Sequence, residues 1–447
     1  MNYKGLQYVL IVSFTGFLFG FDSVVISGVN LPLKHFWNTS DWFHGTFIIS
    51  ISLWGTLVGA LLGGYPTEAL GRKPTLIIVG TMFLISGLGT ALATRPEMFS
   101  FFRFIGGLST GLGSIAAPTY ISETASPKNR GKLGMLFQLN IVLGILMAFL
   151  SNYFFTGISE NNDWRYMLGV LAIPASIYTV LLFSISESPR WLIVARNNTE
   201  KALAIMNSIS SKNEVNNLLN SLKKEDLKNN RDSQRLFSGK YNRILILSLL
   251  MTFFNQFSGI SFILFYAPEI LEKAGFGTSE SLLSSVSIGV VNLLFTIIGI
   301  YLIDKIGRKQ LMYWGSVGYI ISLSMTACSF YFSLSAIVTL IFILLFIISH
   351  AIGQGAVIWV FIAEIFPTKI RPYGQAWGSG LLNGFAALIA LFGAVLINNY
   401  PSWLIFAFFA VLMVFQLLFT YFMMPETKGV SLEELESQIV TQPNYNT

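Results

Sequence analysis

The sequence predicts an all-α integral membrane protein with twelve transmembrane helices in two pseudo-symmetric six-helix bundles. Three observations support this prediction: the composition, the spacing of apolar stretches, and the placement of Lys and Arg. Of the 447 residues, 53% are apolar and only 11% are charged, whereas roughly a quarter of an ordinary soluble domain is charged. Because a water-soluble globule of this size cannot bury so much apolar surface, the composition excludes one.

Apolar stretches of membrane-spanning length recur along the chain. A helix needs about 20 residues to cross a hydrocarbon core of about 30 Å, because every backbone amide must be satisfied inside the segment. Such stretches lie near 8–30, 45–65, 74–94, 98–122, 133–156 and 166–185, and again near 243–268, 281–303, 310–332, 336–363, 375–397 and 402–424. The first stretch is too long for the apolar region of a cleaved signal peptide and is interpreted as a retained span.

This spacing predicts four segments. We expect an N-terminal six-helix bundle in 1–186, a cytoplasmic helical linker in 187–242, a C-terminal six-helix bundle in 243–424, and a cytoplasmic tail in 425–447. The linker contains two amphipathic stretches, 199–209 and 214–228, which favour short helices over an independent domain.

The basic residues predict the orientation. If both termini are cytoplasmic, 23 of the 28 Lys and Arg residues lie on the cytoplasmic side and four lie outside, with Arg103 inside a span. This asymmetry follows the positive-inside rule. The net charge of +6 is too weak and scattered for a nucleic-acid surface. The sequence therefore predicts a multi-pass protein whose surroundings are the lipid bilayer, with no nucleic acid partner.

The two halves repeat each other at the predicted cytoplasmic ends of the spans. Gly71-Arg72-Lys73 matches Gly307-Arg308-Lys309, and an acid seven residues before an arginine follows both the fourth and the tenth span. We expect gating charges at Arg72, Glu123, Arg130, Glu187, Arg190, Arg308, Glu364, Arg371 and Glu426. Opposite charges there could latch the bundles together when that face is closed; alternatively, the bases face anionic lipid and the acids only accompany them.

Longer motifs resemble one family. Twelve spans with Gly-Arg-Lys loops are similar to the major facilitator superfamily. Within it the chain resembles the sugar porter family, which includes bacterial sugar:proton symporters and facilitative glucose transporters. The motifs that carry the resemblance are Arg103-Phe104-Ile105-Gly106-Gly107, Pro118-Thr119-Tyr120-Ile121-Ser122-Glu123, Glu187-Ser188-Pro189-Arg190-Trp191-Leu192, Asp304-Lys305-Ile306-Gly307-Arg308-Lys309 and Pro425-Glu426-Thr427-Lys428-Gly429. The resemblance implies a secondary transporter of the bacterial inner membrane, which we expect to function as a monomer.

Three ionisable residues are expected well inside a span: Asp22, Arg103 and His350. A lone charge at the bilayer centre costs at least ~2.5–3.5 kcal/mol, so each needs a partner, water or a function. If Asp22 and Arg103 meet, Arg103 favours the ionised acid while burial favours the neutral one, and the pair is either a protonation switch or a static ion pair. The resemblance implies the switch. Bacterial symporters have an acid at the position of Asp22 and an arginine at that of Arg103, whereas glucose facilitators carry a neutral residue at the former.

A neutral sugar or polyol needs uncharged donors and acceptors in a mostly apolar cavity. Polar residues inside spans supply candidates, although for any single one a hydrogen bond between helices is the commoner explanation. By resemblance, Gln138, Gln256, Asn292 and Trp359 match sugar contacts and Ile141 and Ile145 match apolar wall positions. The full predicted substrate set is Gln138, Ile141, Ile145, Asn255, Gln256, Ser261, Asn292, His350, Trp359 and Asn383.

This set departs from the family pattern in ways that bear on the substrate. Asn255 and Ser261 replace a glutamine and an asparagine, and His350 stands where a phenylalanine usually borders the sugar. His350 could bind a hydroxyl or join the proton path, or it could be a neutral histidine tied to a backbone carbonyl. A pentose, a deoxysugar or a polyol therefore fits as well as a hexose.

The remaining inferences concern motion and other functional classes. Gly259, Pro268, Gly353 and Gly355 predict bends inside the seventh and tenth spans. We expect proton symport of a neutral monosaccharide or polyol by alternating access. An uncoupled facilitator and a transporter-like sugar sensor are the alternatives. An enzyme, a cofactor and a metal site are not expected, because the single cysteine Cys328 and three histidines offer no metal cluster and no catalytic set lies at membrane depth.

Overall fold

The structure is a computed structural model that describes residues 3–125, 130–159, 162–209, 236–237, 239–367, 370–430 and 435. The described residues are almost all helical and contain no β-strand. The long helices are α1 Tyr3–Trp37, α2 Asp41–Leu62, α3 Arg72–Ala91, α4 Pro96–Thr124, α5 Arg130–Phe155, α6 Asp163–Ser184, α7 Asn242–Lys273, α8 Thr278–Ile306, α9 Arg308–Tyr331, α10 Ala336–Ile365, α11 Arg371–Asn399 and α12 Ser402–Phe422.

Within the described residues, ten of these helices are long and apolar enough to cross a membrane. The other two, α4 and α9, have 29 and 24 residues and occupy the positions of the predicted fourth and ninth spans. Helix α4 is rich in Gly, Ser and Thr, which lowers its hydropathy. The all-helical fold is as predicted, and membrane crossing by α4 and α9 stays a prediction.

Glycines let the helices of the N-terminal half approach closely. A Cβ at Gly20 of α1 would lie 1.9 Å from Ile141 O of α5. A Cβ at Gly107 of α4 would lie 1.9 Å from Ser52 O of α2. Neither position has room for a side chain, so Gly20 sets the distance between α1 and α5, and Gly107 sets the distance between α4 and α2.

Helices α7 and α10 are broken where the sequence predicts bends. Helix α7 stops at Phe257, passes Gly259 at φ 91°, and restarts at Ile260. A second irregularity at Tyr266 precedes Pro268. Helix α10 is interrupted at Gly353, where ψ is −103°. Both breaks place unwound backbone in the middle of a predicted span.

Two short helices, Pro189–Val194 and Thr199–Ile209, follow α6, and the second occupies the first amphipathic stretch of the linker. They pack through Trp191, Leu192 and Ala202. The second predicted linker helix, 214–228, lies outside the described residues.

The halves meet closely where α2 packs on α11 and α5 packs on α8, and α1 also contacts α7. A Cβ at Gly45 of α2 would lie 2.3 Å from Leu391 O of α11, and one at Gly289 of α8 would lie 2.9 Å from Leu146 Cα of α5. The end of the molecule where α2 begins is called the Asp41 end below, and the opposite end, where α3 begins, is called the Arg72 end.

Candidate functional site

Asp22 and Arg103 form a buried ion pair between α1 and α4. Arg103 Nη1 lies 2.7 Å from Asp22 Oδ1 and donates a second hydrogen bond of 3.1 Å to the Asp22 carbonyl oxygen. Ser52 Oγ of α2 donates to Asp22 Oδ2 at 3.1 Å. The side chains of Asp22 and Arg103 are 1% and 2% exposed. Each charge therefore offsets the free-energy cost of burying the other.

The pair is held through one guanidinium nitrogen only. Arg103 Nε is buried and has no acceptor among the described residues, and neither has the buried hydroxyl of Ser86. A Cβ at Gly106 would lie 2.5 Å from Ser86 Oγ and 3.2 Å from Asp22 Oδ1. A single-nitrogen contact lacks the geometric fixation of a bidentate pair, which leaves Arg103 able to part from Asp22.

Three of the predicted sugar contacts form one hydrogen-bonded group at the break in α7. Gln256 Nε2 donates to Asn255 Oδ1 at 2.9 Å, and Ser261 donates to Gln256 Oε1. All three side chains are buried. The turn at Gly259 allows this group, because it brings Ser261 back towards Gln256 across the interrupted helix.

The other predicted substrate residues are distributed over four helices. Ile141 and Ile145 lie on α5, where Ile141 packs against Gly16 of α1, and Gln138 is half-buried on the same helix. Asn292 of α8 and Asn383 of α11 are buried and bond within their own helices, to Thr296 and to Ser379 O. Trp359 is 36% exposed on α10. No hydrogen bond between the described side chains joins these residues to the group at Gln256.

His350 belongs to a polar chain inside the C-terminal half. Its Nδ1 lies 2.6 Å from the Tyr319 hydroxyl, which also reaches Gln354 Oε1 at 3.2 Å. Gln354 Nε2 donates to Gln416 Oε1, and Gln416 Nε2 donates to Ser316, each at 2.9 Å. The sequence left open a substrate contact, a place in the proton path or a bond to a backbone carbonyl for His350; its hydrogen-bond partner here is a tyrosine hydroxyl. Nδ1 is engaged, and Nε2 is the ring nitrogen left for a ligand.

At the Arg72 end, the N-terminal half builds a compact charge cluster. Arg72 makes a bidentate pair with Glu123, with both N···O distances 2.9 Å, and also contacts Glu68. Glu187 accepts hydrogen bonds from the backbone amides of Arg72, Lys73 and Ser188. Burial raises the pKa of Glu187, and these amide hydrogen bonds together with the Arg72 charge oppose the increase.

The C-terminal half repeats this cluster. Arg308 pairs with Glu364 through Nε and Nη2 at 3.1 and 2.8 Å. Glu426 accepts from the amides of Arg308 and Lys309, as Glu187 does from Arg72 and Lys73. Both arginine–glutamate pairs therefore lie within one half. Latching between the halves stays a prediction for the state in which the Arg72 end is closed. The side chain of Arg130, another predicted gating charge, lies outside the described residues.

At the Asp41 end, polar contacts join the halves. Asp41 of α2 accepts hydrogen bonds from Asn398 at 3.1 Å and Asn399 at 3.3 Å, both on α11, and forms an ion pair with Lys34. Asn30 of α1 donates to Glu269 of α7. The Asp41 end is thus closed by contacts between the halves.

An apolar cleft of about 310 Å³ lies between α2 and α11, lined by Trp54, Leu57, Leu61, Trp377, Gly380, Leu381, Gly384, Phe385 and Leu388. None of the predicted substrate residues lines this cleft. Apart from the indole N–H groups of Trp54 and Trp377, its side chains are apolar and offer no acceptor for a sugar hydroxyl, so it is not the predicted site.

Glu269 is the functional candidate that the sequence reasoning missed. The predicted seventh span ended at residue 268, whereas the helix continues to Lys273 and buries Glu269 to 6% exposure. An acid directly after Pro268 in an apolar run was the available signal. Asn30 and His44, which complete its network, carried no recognisable pattern.

Comparisons with known proteins agree with this fold. Residues 8–438 match the family model described as sugar (and other) transporter. The chain is 35% identical to the arabinose-proton symporter of Bacillus subtilis over 431 residues, covering 94% of this chain and 92% of the relative. It is 32% identical to the D-xylose-proton symporter of Escherichia coli K12, with coverage of 96% and 94%.

Among solved structures, the inward open conformation of the xylose transporter XylE from E. coli superimposes with a TM-score of 0.86 at 30% identity, covering 97% of this chain and 100% of that one. The chain therefore belongs to the sugar (and other) transporter family, and it is a membrane transporter of the major facilitator fold and not an enzyme.

Proposed function

We propose that this protein imports a neutral monosaccharide or polyol together with protons, by alternating access. The observation that carries the proposal is the buried Asp22–Arg103 pair, which joins two helices of one half and is held through a single nitrogen. Proton symport by the arabinose and xylose relatives supports it.

Asp22 is the proton-binding residue in this proposal. When Arg103 contacts Asp22, its charge stabilises the carboxylate. When Arg103 moves away in a dry site, the isolated carboxylate is costly and takes up a proton. Symport follows if the two faces of the transporter hold different states of this pair.

The substrate site lies between the halves, at the breaks in α7 and α10. Gln138, Asn255, Gln256, Ser261, Asn292, His350 and Asn383 supply neutral hydrogen-bonding groups, Trp359 supplies an aromatic face, and Ile141 and Ile145 supply apolar walls. Because all of these side chains are uncharged in the membrane interior, they suit a ligand that has hydroxyls and no charge.

We place both termini in the cytoplasm, so the Arg72 end is cytoplasmic and the Asp41 end faces outward. The protein would then be inward-facing here, with its outer end closed. The bacterial inner membrane, the 1–186 and 243–424 bundles as the moving bodies, and function as a monomer are parts of the same proposal.

The decisive experiment compares wild type with Asp22→Asn in proteoliposomes. Asn keeps the size of Asp22 and cannot release a proton. We expect uphill accumulation driven by an acid exterior to be lost, while exchange of labelled substrate across the membrane continues. Glu97→Gln removes an exposed acid at the start of α4 and should behave as wild type. Concentrative uptake by Asp22→Asn would contradict the assignment of the proton site.

The substrate is identified by uptake of a panel of labelled pentoses, hexoses, deoxysugars and polyols, with and without a proton uncoupler. We expect one class to accumulate only when the proton gradient is intact. Flux that ignores an imposed gradient would leave an uncoupled facilitator, and binding without flux would leave a sensor.

A further inference from the structure

A buried acid outside the Asp22 site holds the two halves together at the Asp41 end. Glu269 lies on the second half of α7, after the irregular turn at Tyr266, and is 6% exposed. Its Oε1 accepts a hydrogen bond from Asn30 Nδ2 of α1. The contact crosses from one half of the chain to the other, so it exists only while this end is closed.

The neighbours of Glu269 form a directed chain that reaches the surface. With Asn30 Nδ2 donating to Glu269, Asn30 Oδ1 accepts from His44 Nε2 at 2.5 Å. His44 Nδ1 then accepts from the Thr39 hydroxyl at 2.9 Å. This arrangement engages both nitrogens of a neutral His44. The Glu269 carboxylate therefore accepts a hydrogen bond from one neutral amide and none from the imidazole.

The charged groups nearby do not neutralise Glu269. Among the described residues, none forms an ion pair with it: Lys34 pairs with Asp41, and Lys273 donates to the Ile397 carbonyl oxygen. The titratable and charged groups around it are Lys34 on α1 and Tyr266, Glu272 and Lys273 on its own helix. Two groups of α2 lie one contact further away, His44 on Asn30 and Asp41 on Lys34. A buried carboxylate that lacks a cation at contact distance favours its protonated form.

We propose that Glu269 is a second proton-binding residue of the transport cycle, which takes up a proton when the Asp41 end closes. Opening separates α1 from α7, so Glu269 loses Asn30, meets water and releases its proton. Since Glu269 opens only towards the outside, the proton enters from the outer solution and returns to it. Protonation of Glu269 therefore makes opening of the Asp41 end, called the gate below, depend on external pH. It adds nothing to the number of protons carried inward.

This inference rests on the proposed orientation and alternating access, and its test is kept separate from Asp22. Spin labels at Met98→Cys on α4 and Ser279→Cys on α8, both exposed at the Asp41 end, report the separation of the halves in a Cys328→Ser background. All distance measurements use the full chain in lipid nanodiscs without sugar. Every protein in them carries Asp22→Asn, which removes the coupling residue from the titration.

Because closing takes up a proton, raising the pH favours the open state. For one titrating group, we expect the ratio of open to closed molecules to rise by up to about tenfold for each unit by which the pH increases. With Glu269→Gln the short distance should dominate at every pH, because glutamine stays neutral and still accepts from Asn30. Glu272→Gln, which removes a half-buried acid one turn further along α7, should titrate as the parent does. If the open-to-closed ratio still depends on pH in Glu269→Gln, the titration belongs to another group, such as His44, and the proposal is overturned.

A second variant covers the case in which Glu269→Gln does not reach the membrane. Asn30→Ala retains the acid and loses the inter-half hydrogen bond, so the open fraction should increase several-fold at each pH while the slope persists. An unchanged open fraction would contradict the role of this contact.

Transport provides the final comparison, with Asp22 intact. The proton-to-sugar ratio should be the same in wild type and Glu269→Gln, because the gate proton returns to its own side. A lower ratio in the variant would overturn that statement. If wild type shows no proton-coupled uptake while the distance titration persists, the proposed symport fails and the gate site stands.

Discussion

At the scale of single residues, the hydrogen-bond partners of a buried polar group decide which of its atoms can meet a ligand. Tyr319 illustrates this, since its hydroxyl connects His350 with Gln354 in the interior of the C-terminal half. His350 is thereby fixed through Nδ1, so its orientation depends on a residue of another helix. The same reasoning applies to Arg103, whose position depends on Asp22.

Tyr319→Phe tests this chain. The substitution leaves a buried Gln354 oxygen and His350 Nδ1 without their shared partner, which costs roughly 1–3 kcal/mol. We expect a lower midpoint of thermal unfolding in detergent. Tyr331→Phe, at a position 63% exposed on the same helix, is the control and should leave the midpoint unchanged. Equal midpoints for the two variants would show that the hydroxyl of Tyr319 contributes nothing.

At the scale of helices, the breaks in α7 and α10 separate each helix into two pieces. The break in α7 gathers Asn255, Gln256 and Ser261 on one side and leads, after Tyr266, to Glu269 at the gate. One helix thus carries both the central polar group and the acid of the closed end. Bending at Gly259 would couple movement at one to movement at the other.

Gly259→Ala tests the importance of this break. Its φ of 91° disfavours any side chain by about 1–2 kcal/mol, and the added Cβ would lie 2.8 Å from the ring of Phe409. We expect a lower unfolding midpoint and slower sugar exchange.

The matched control is Gly134→Ala on α5, where a Cβ would meet nothing within 4 Å. In a helix this change should be neutral or stabilising by roughly 0.5–1 kcal/mol. Sugar exchange by Gly259→Ala at the wild-type rate would argue against a hinge there.

At the scale of the whole molecule, the two ends differ. Charge pairs at the Arg72 end stay within each half, whereas at the Asp41 end Asp41 and Glu269 bridge the halves. A transporter that alternates must exchange these arrangements, so the contacts at the Asp41 end set the balance between states.

Asn398→Ala combined with Asn399→Ala should shift that balance. Both side chains donate to Asp41, and losing two partly exposed hydrogen bonds to a carboxylate should raise the open fraction about fivefold. The spin-label distance between α4 and α8 measures it. Gln375→Ala changes an exposed residue at the other end of α11 and should have no effect. A double variant that stays as closed as wild type would mean that Asp41 does not hold the gate.

Much of this protein could be predicted from its sequence, because hydropathy and glycine act locally. Apolar runs of spanning length predicted the helices, and Gly259 and Gly353 predicted the breaks. Asp22 and Arg103 were expected to meet because a charge in hydrocarbon must find its opposite. The helix boundaries were less accurate: the seventh span was predicted to end at residue 268, which excluded Glu269, whereas the helix continues to Lys273.

What only the tertiary structure decided is which polar groups share a neighbourhood. The charge motifs at the Arg72 end did not indicate which acid each arginine contacts here: Arg72 and Arg308 each pair within their own half, because Glu123 and Glu364 lie at the end of the neighbouring helix of that half. Latching between the halves when this end is closed stays a prediction. Glu269 is far from Asn30 and His44 in the chain, and the packing of α1, α2 and α7 brings the three together. The sequence by itself determined the helices and the membrane environment, because both depend on the composition of short segments. Partners, and the end at which the halves touch, depend on how those segments pack.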